Sequence, residues 1–389
     1  TIRGMVCTTS DKYNCYGFFM ETNKATIKNI KMEDCCLKED DANFKARIGI
    51  LCGYARNSTF MNCEISKSAV IVCSNLGVTV GGIIGNTYKG TNSLNCRFDG
   101  YISITEDDYS IVAGAKRVGG IVGNQEWSSV SKNCSSSGEI VINCTHDGDK
   151  YDYHIGGISG ALEKSSAYNC VSSMNMHINS PNNGISSCFV GGIAAYYSEM
   201  PSYEIRGCAY FGKISIGDAT TKSKVNNLWV SGIGGNAAYV SGCAVYGSFD
   251  IHLKVKNETK IAGLSNVYFF GYMYKQNVVY SAGNVIDVET NDMDIDQVCN
   301  QLDNGDKHKD YYNFALSTGG SVGCKYTENT SIYYQSLVQM KTDDFINKLN
   351  EDARSNIWGK LTGMSNELNG LPMPISCGGK PLEYTGDGT

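Results

Sequence analysis

The chain has 389 residues, with 39 acidic and 33 basic side chains for a net charge of −6. It carries no basic run that would neutralise a phosphate backbone, which argues against nucleic acid as a partner. No apolar stretch approaches the roughly 18 residues that span a membrane, so no segment is read as membrane-inserted. Thr1 is not an initiator methionine and no signal-peptide pattern follows it, so the chain reads as a mature or excised piece of something longer.

From the first residues onward a glycine motif recurs. Tyr16-Gly17-Phe18-Phe19 fits it loosely and Ile48-Gly49-Ile50-Leu51-Cys52-Gly53 fits better. Val80-Gly81-Gly82-Ile83-Ile84-Gly85 is followed after 38 residues by Val118-Gly119-Gly120-Ile121-Val122-Gly123. Ile155-Gly156-Gly157-Ile158-Ser159-Gly160 and Val190-Gly191-Gly192-Ile193 come next, with worn copies at Val230 and Ile261. One such stretch alone resembles a phosphate loop. A phosphate loop needs Lys-Ser or Lys-Thr after its last glycine and then a helix. Here Asn124-Gln125 follows, and the tandem copies point to repeated structure instead. Ser159 is a near miss to a nucleophile elbow, but other copies hold Ile84 and Val122 at its place, so it reads as a strand residue.

A second motif keeps step with the first. Cys35, Cys63, Cys96, Cys134, Cys170, Cys208 and Cys243 fall once per repeat, mostly after Asn, and 14 or 15 residues after the first glycine in the best copies. A third element follows, a small residue and then alternating apolar positions, as in Gly138-Glu139-Ile140-Val141-Ile142. Each unit is predicted to hold three short strands: one bounded by glycines, one carrying the cysteine, and one alternating after a glycine bend. Units that cannot bury a face alone but stack on their neighbours define a solenoid. The expectation is an all-β, right-handed parallel β-helix of about eight coils, about 40 Å long at about 4.8 Å per coil.

The seven cysteines should then stack as an internal ladder of buried thiols, packing as small apolar residues. The asparagines before them should stack at a turn with bonded amides. Seventeen cysteines is an odd number, so at least one is unpaired or pairs between chains. No C-x-x-C occurs, which argues against zinc ribbons and thioredoxin-like sites.

Repeats fill residues 1–290 and residues 291–377 read as a capping region that is mixed and partly helical. Short helices are predicted over Asp294–Leu302 and, with Thr342 as N-cap, over Thr342–Asn350. Trp358 and the run Leu371–Ile375 are expected to cover the last coil. Residues 378–389 read as a linker or tail.

The copies at Val80, Val118, Ile155 and Val190, each with its Asn-Cys or Gly-Cys partner, resemble the GLUG repeats of bacterial surface proteins. Ala25–Ile30 is similar to the opening coil of that family. Glu367–Ile375 is similar to its usual ending, with Leu371 replacing an aromatic. The resemblance spans nearly the whole chain. It implies a secreted or surface-anchored β-solenoid and offers no catalytic residues to carry over.

On a solenoid, function is expected in the loops that differ between coils. The loops before each glycine pair leave from one edge and carry Tyr109, Lys116, Arg117, Tyr151, Tyr153 and Trp229. Exposed aromatics beside polar groups suit sugar stacking or protein contact, so Tyr109, Tyr151, Tyr153 and Trp229 are the candidate ligand residues. Asp147, Asp149 and Asp152 can supply oxygens to calcium, although the segment lacks a twelve-residue calcium-loop pattern and its closing glutamate; no other cofactor is implied. Those three with Asp107 and Asp108 are also the only acidic cluster that suits acid–base work on a polysaccharide. The outward strand positions are mostly Ser, Asn, Lys and Tyr, which argues against an enzyme. The leading expectation is a non-catalytic extracellular or cell-surface solenoid, an adhesin or rigid spacer binding a host surface protein or glycan. A β-helix polysaccharide lyase or hydrolase, or a subunit of an extracellular filament contacting neighbouring surface subunits, are the alternatives.

Overall fold

The computed structural model describes residues 1–8, 14–39, 46–74, 78–106, 114–145, 151–182, 185–197, 203–236, 240–255, 266–267, 277–279, 285–290, 313–316, 332–353 and 355–382. The chain winds into a parallel β-solenoid. Each coil pairs in register with the next, so that Val80 sits between Ile48 and Val118, and Ile155 between Val118 and Val190. Among the described residues, the coils up to Val255 contribute to four stacked sheets, one strand more per coil than the sequence predicts. The first sheet holds the strands that enter the glycine pair, such as Gly114–Gly119, and the second those that leave it, such as Val122–Glu126. Three-residue strands such as Val130–Lys132 build the third, and long strands such as Ser135–Cys144 the fourth. The second and third sheets have seven strands each among the described residues, so the count of complete coils falls below eight.

The extra strand arises because the glycine-bounded strand is divided at its glycine pair, into Gly114–Gly119 entering and Val122–Glu126 leaving. The cysteine lies in a corner between the third and fourth sheets rather than on a strand. The glycine bend is not a break: Gly100 and Gly138 lie inside the unbroken strands Arg97–Glu106 and Ser135–Cys144.

The core follows from alternation. In the fourth sheet Ile140 and Ile142 point in, below Ile102 and Ile104 and above Met176 and Ile178. At the glycine corner Ile83, Ile121, Ile158, Ile193 and Ile233 are fully buried in one cluster. Burying each such side chain contributes on the order of 1.5–3 kcal/mol, repeated once per coil. The glycines have a steric cause. A Cβ on Gly119 would lie 2.1 Å from the Val122 carbonyl oxygen and 2.8 Å from the Gly160 nitrogen. Only a residue without a side chain lets the first and second sheets turn so tightly.

The cysteine corner has its own logic. Asn29, Asn62, Asn95, Asn133 and Asn169 all adopt left-handed backbone, with φ between 50° and 56°, which Asn tolerates better than most residues. Each amide from Asn62 onward donates to the carbonyl oxygen of the preceding one at 3.1–3.3 Å. Gly207 and Gly242 take over that conformation in later coils. The cysteines after Asn62, Asn95, Asn133, Asn169, Gly207 and Gly242 are buried, and each thiol donates to two carbonyls, as Cys134 does to Lys132 at 3.5 Å and Ser93 at 3.2 Å. Cys35, expected to begin the ladder, is not part of it: register places Ile30 against Cys63 and Cys35 against Ala69, because the first coil turns this corner at Asn29 rather than Asp34. All fifteen cysteines among the described residues are free thiols. Burial pushes the thiols of Cys134, Cys170 and Cys208 well above the ordinary range. A thiol reagent should therefore modify the half-buried Cys7 and Cys36 in the native protein and reach the ladder only on denaturation. Rapid native labelling of Cys134, read by peptide mass mapping, contradicts the ladder packing.

The C-terminal region is partly helical. Helices run over Leu337–Met340 and Asp343–Ala353, and Thr342 Oγ1 accepts from the Phe345 N–H at 3.2 Å as the N-cap. The predicted helix at Asp294–Leu302 lies outside the described residues. Trp358, Leu371 and Met373 are buried. They pack with Met340, Ile346 and Leu349 against Ala209, Ala244 and Tyr246, on the flank of the rod. The Cys377 thiol and Ser376 hydroxyl both donate to the Gly207 carbonyl, and the Tyr246 hydroxyl donates to the Pro372 carbonyl. The flank is prepared for this: the stacked positions Arg97, Ser135 and Val171 become Ala209 and Ala244 where the region docks. Among the described residues no helix is long and apolar enough to cross a membrane.

Candidate functional site

The first and second sheets meet at a concave angle. Arg47, Thr79, Arg117, His154, Phe189 and Trp229 stack one per coil on the first sheet. Tyr54, Asn86, Asn124, Ala161 and Tyr196 do so on the second. The two stacks touch. The Arg47 guanidinium lies 4.6 Å from the Tyr54 ring centre, and His154 stacks on Tyr196 at 4.7 Å. Arg117 also reaches across to Glu163 of the second sheet, at 2.6 Å. Outward side chains of two adjoining sheets can meet only across a groove, and the glycine pairs allow it to form.

In the middle coils the groove opens into a cleft of about 520 Å³ lined by Arg117, Trp127, Asp152, His154, Glu163, Lys164, Ser187, Phe189 and Tyr196. Its aromatic wall is continuous. Phe189 stacks on Trp229 with ring centres 4.2 Å apart and planes within 6°, and meets both His154 and Tyr196 edge-on. Trp127 forms the rim. It is 50 % exposed, yet it holds φ at 52°, a left-handed backbone that bulky residues avoid. The ladder keeps it there: its N–H donates to the Glu163 carbonyl at 2.9 Å, and the Lys164 ammonium sits 4.0 Å over its ring. The equivalent turn residues Lys89 and Lys164 share that conformation, so the repeat sets the backbone and Trp127 brings a bulky, half-exposed aromatic to it over the cleft.

The electrostatics of the cleft come from partial burial. Burial pushes the Glu163 carboxyl up, the neighbouring Glu126 adds to this, and the Arg117 guanidinium opposes it. Glu126 is held by amides, accepting from Asn124 at 2.5 Å and from Asn86 at 3.3 Å. His154 is 6 % exposed and its Nδ1 is buried without a hydrogen-bond partner. Burial first, and Arg117 second, push its pKa down to about 3. The folded value lies below the unfolded one, so the unfolded state binds more protons between about pH 6.5 and 3. Stability should be full above about pH 6.5 and fall by at most about 1.4 kcal/mol per unit as pH drops through that window. His154→Phe, which copies Phe189 in the next coil, should remove this part of the slope in denaturant melts taken across the same pH range.

The sequence-derived site residues fare differently. Tyr109, Asp147 and Asp149 lie outside the described residues, as does the Tyr151 side chain on the strand Tyr151–Gly156. Tyr153 is not a surface residue. It is fully buried, and the buried Lys116 ammonium donates to its hydroxyl at 2.9 Å. The strands begin several residues before each glycine pair, and alternation sends Lys116 and Tyr153 into the core with Val118 and Ile155. Arg117 and Trp229, taken for loop residues, stand on strands instead, with Trp229 half-buried in the aromatic stack. Asp152 does line the cleft. Among the described residues no three His, Cys, Asp or Glu side chains gather as a metal would require. Ser159 is buried with its hydroxyl donating to the Ala161 carbonyl, and so is no nucleophile.

Sequence reasoning missed Trp127, Glu163, Phe189 and Tyr196. Their signal was the turn after the second strand, where Trp127 takes a position that neighbouring repeats give to Lys89 and Lys164. Comparison with family models, with curated proteins and with solved structures gives no match, so the reading of the site rests on its geometry.

Proposed function

We propose that the protein is a non-catalytic extracellular or cell-surface solenoid that binds glycan chains in the groove between its first two sheets. The observation that carries this reading is Trp127, held exposed at a backbone cost beside Tyr196 and Phe189, with Arg117, Asp152 and Ser187 within the same cleft. An aromatic face with polar groups around it matches a pyranose ring, which offers C–H groups on one face and hydroxyls at its edge. The buried, high-pKa thiols suit life outside the cell, because thiols of that kind resist oxidation. The resemblance to GLUG repeats of bacterial surface proteins points the same way.

A second reading has one observation in its favour. Glu163 and Glu126 lie on adjacent strands in register, and the raised carboxyl of Glu163 suits a general acid. A glycan array with a parallel reducing-sugar assay separates the two. Binding without turnover, lost in Trp127→Ala, supports the binding protein. Sugar release abolished by Glu163→Gln replaces it with a hydrolase, and silence in both assays removes the glycan reading.

A further inference from the structure

The rim of the groove on the coils before Trp127 carries cations that the glycan reading leaves unused. One turn position per coil adopts left-handed backbone: Lys24, Asn57, Lys89, Trp127 and Lys164, with φ between 45° and 53°. Strand register aligns them, since Arg56 pairs with Asn23 and Tyr88, and Glu126 with Glu163. The tryptophan is therefore one rung from Lys89 along a continuous edge.

Beside that edge the cations are spread over aromatic faces. The Arg56 guanidinium lies 5.2 Å from the Tyr54 ring centre and 5.7 Å from that of Tyr88, and its Nε donates to the Tyr54 hydroxyl at 3.2 Å. The Lys89 ammonium stands 5.3 Å from the Tyr88 ring centre. Arg47 covers the other face of the same groove, over Tyr54. Among the described residues no carboxylate lies within ion-pair distance of Arg47, Arg56 or Lys89, although Arg3, Lys31, Arg117 and Lys213 elsewhere on the rod are each paired. The chain as a whole has net charge −6, so three cations outside ion-pair distance of a carboxylate around one groove are a local arrangement and not a consequence of composition; Glu21, in register with Tyr54, acts on Arg56 only from farther off. Aromatic support fixes the guanidinium plane, and beyond the bonds of Arg56 Nε to Tyr54 and of Arg47 to the Cys15 sulfur the remaining N–H groups can donate, which is the requirement for charge-assisted bonds to an oxyanion.

We infer that the ligand of the groove is an anionic polysaccharide, its carboxylate or sulfate groups held by Arg56 and Lys89, assisted by Arg47, while a following sugar ring stacks on Trp127. This inference rests on the glycan reading and narrows it. The chain runs along the solenoid axis, because the cationic and aromatic sites occupy the same groove on successive coils about 4.8 Å apart.

The test uses calorimetry with four probes: an oligogalacturonate, its carboxyl-reduced counterpart, a heparin-derived oligosaccharide and a short DNA duplex. Wild-type protein should bind at least one acidic sugar at least tenfold more tightly than the carboxyl-reduced chain, with affinity falling as salt rises. The double variant R56A/K89A should lose roughly that tenfold advantage and keep its affinity for the reduced chain. The oligogalacturonate and heparin arms separate a carboxylate from a sulfate preference. Equal binding of acidic and reduced chains by the wild type, or acidic binding unaffected by R56A/K89A, overturns the inference and leaves the glycan reading standing. Trp127→Ala with no effect on any sugar strikes the glycan reading instead. Duplex binding as tight as that of the acidic sugars, and lost in R56A/K89A, overturns the inference in favour of a general polyanion site.

Discussion

Trp127→Asn should weaken glycan binding by about thirtyfold, on the order of 2 kcal/mol, as expected for removing a central aromatic anchor. The same change should not destabilise the fold. Trp127 holds φ at 52°, which costs a bulky residue about 1–2 kcal/mol, whereas Asn57 occupies the equivalent turn with φ at 45° and Asn accepts that region. The indole contributes one cation contact with Lys164 and leaves half its surface in water. An unchanged melting temperature, or a rise of a few degrees, is therefore expected alongside the binding loss. The pair of measurements is a glycan titration and a thermal melt of one variant. A large drop in melting temperature would show that Trp127 is held for packing, and the strain argument for a binding role would fail.

Most of the scaffold was legible in the sequence, for a physical reason. Each coil repeats one solution, so Val80, Val118, Ile155 and Val190 announce the same strand four times, and Asn62, Asn95 and Asn133 the same corner. Repetition raises a weak local signal above noise. What the repeat hides is direction. Three residues before Ile155, and not in a loop, Asp152 faces the cleft while Tyr153 next to it is buried. That distinction depends on where the strand starts, and glycine motifs do not mark strand starts. The groove was invisible for a related cause: a concave corner between sheets requires knowing that a fourth strand exists. Trp127 and Glu163 occupy positions that the repeat pattern treats as variable turns, so nothing in spacing joins them. The docking flank was legible in principle, since Ala209 and Ala244 replace larger residues at a stacked position, but the register that aligns them comes only from the fold.

Gly119→Ala, like the same change at its stacked equivalents Gly81 and Gly156, should be severely damaging, costing about 4 kcal/mol or more. Its Cβ would stand 2.1 Å from the Val122 carbonyl oxygen of its own corner and 2.8 Å from the Gly160 nitrogen of the next coil, and both are backbone atoms in a hydrogen-bonded ladder. Relief would require opening the corner, which separates the first and second sheets and with them the groove. Gly90→Ala is the matched control. Its φ is 72° and nothing lies within 4 Å of the added carbon, so it should cost only the left-handed penalty of about 1–2 kcal/mol. Ser231 shows where the rule relaxes. It pairs in register with Gly191 but belongs to a coil whose corner continues Gly234-Gly235, so glycine moves to the far side of the bend. At Gly119 no glycine stands on the far side to take over, since Val122 holds the place that Gly234 fills in the later coil, and a solenoid transmits the misfit to both stacked neighbours. Denaturant melts of Gly119→Ala and Gly90→Ala decide the matter. Similar small losses in both would mean that the corner has slack, and that the glycines do not set the angle on which the groove depends.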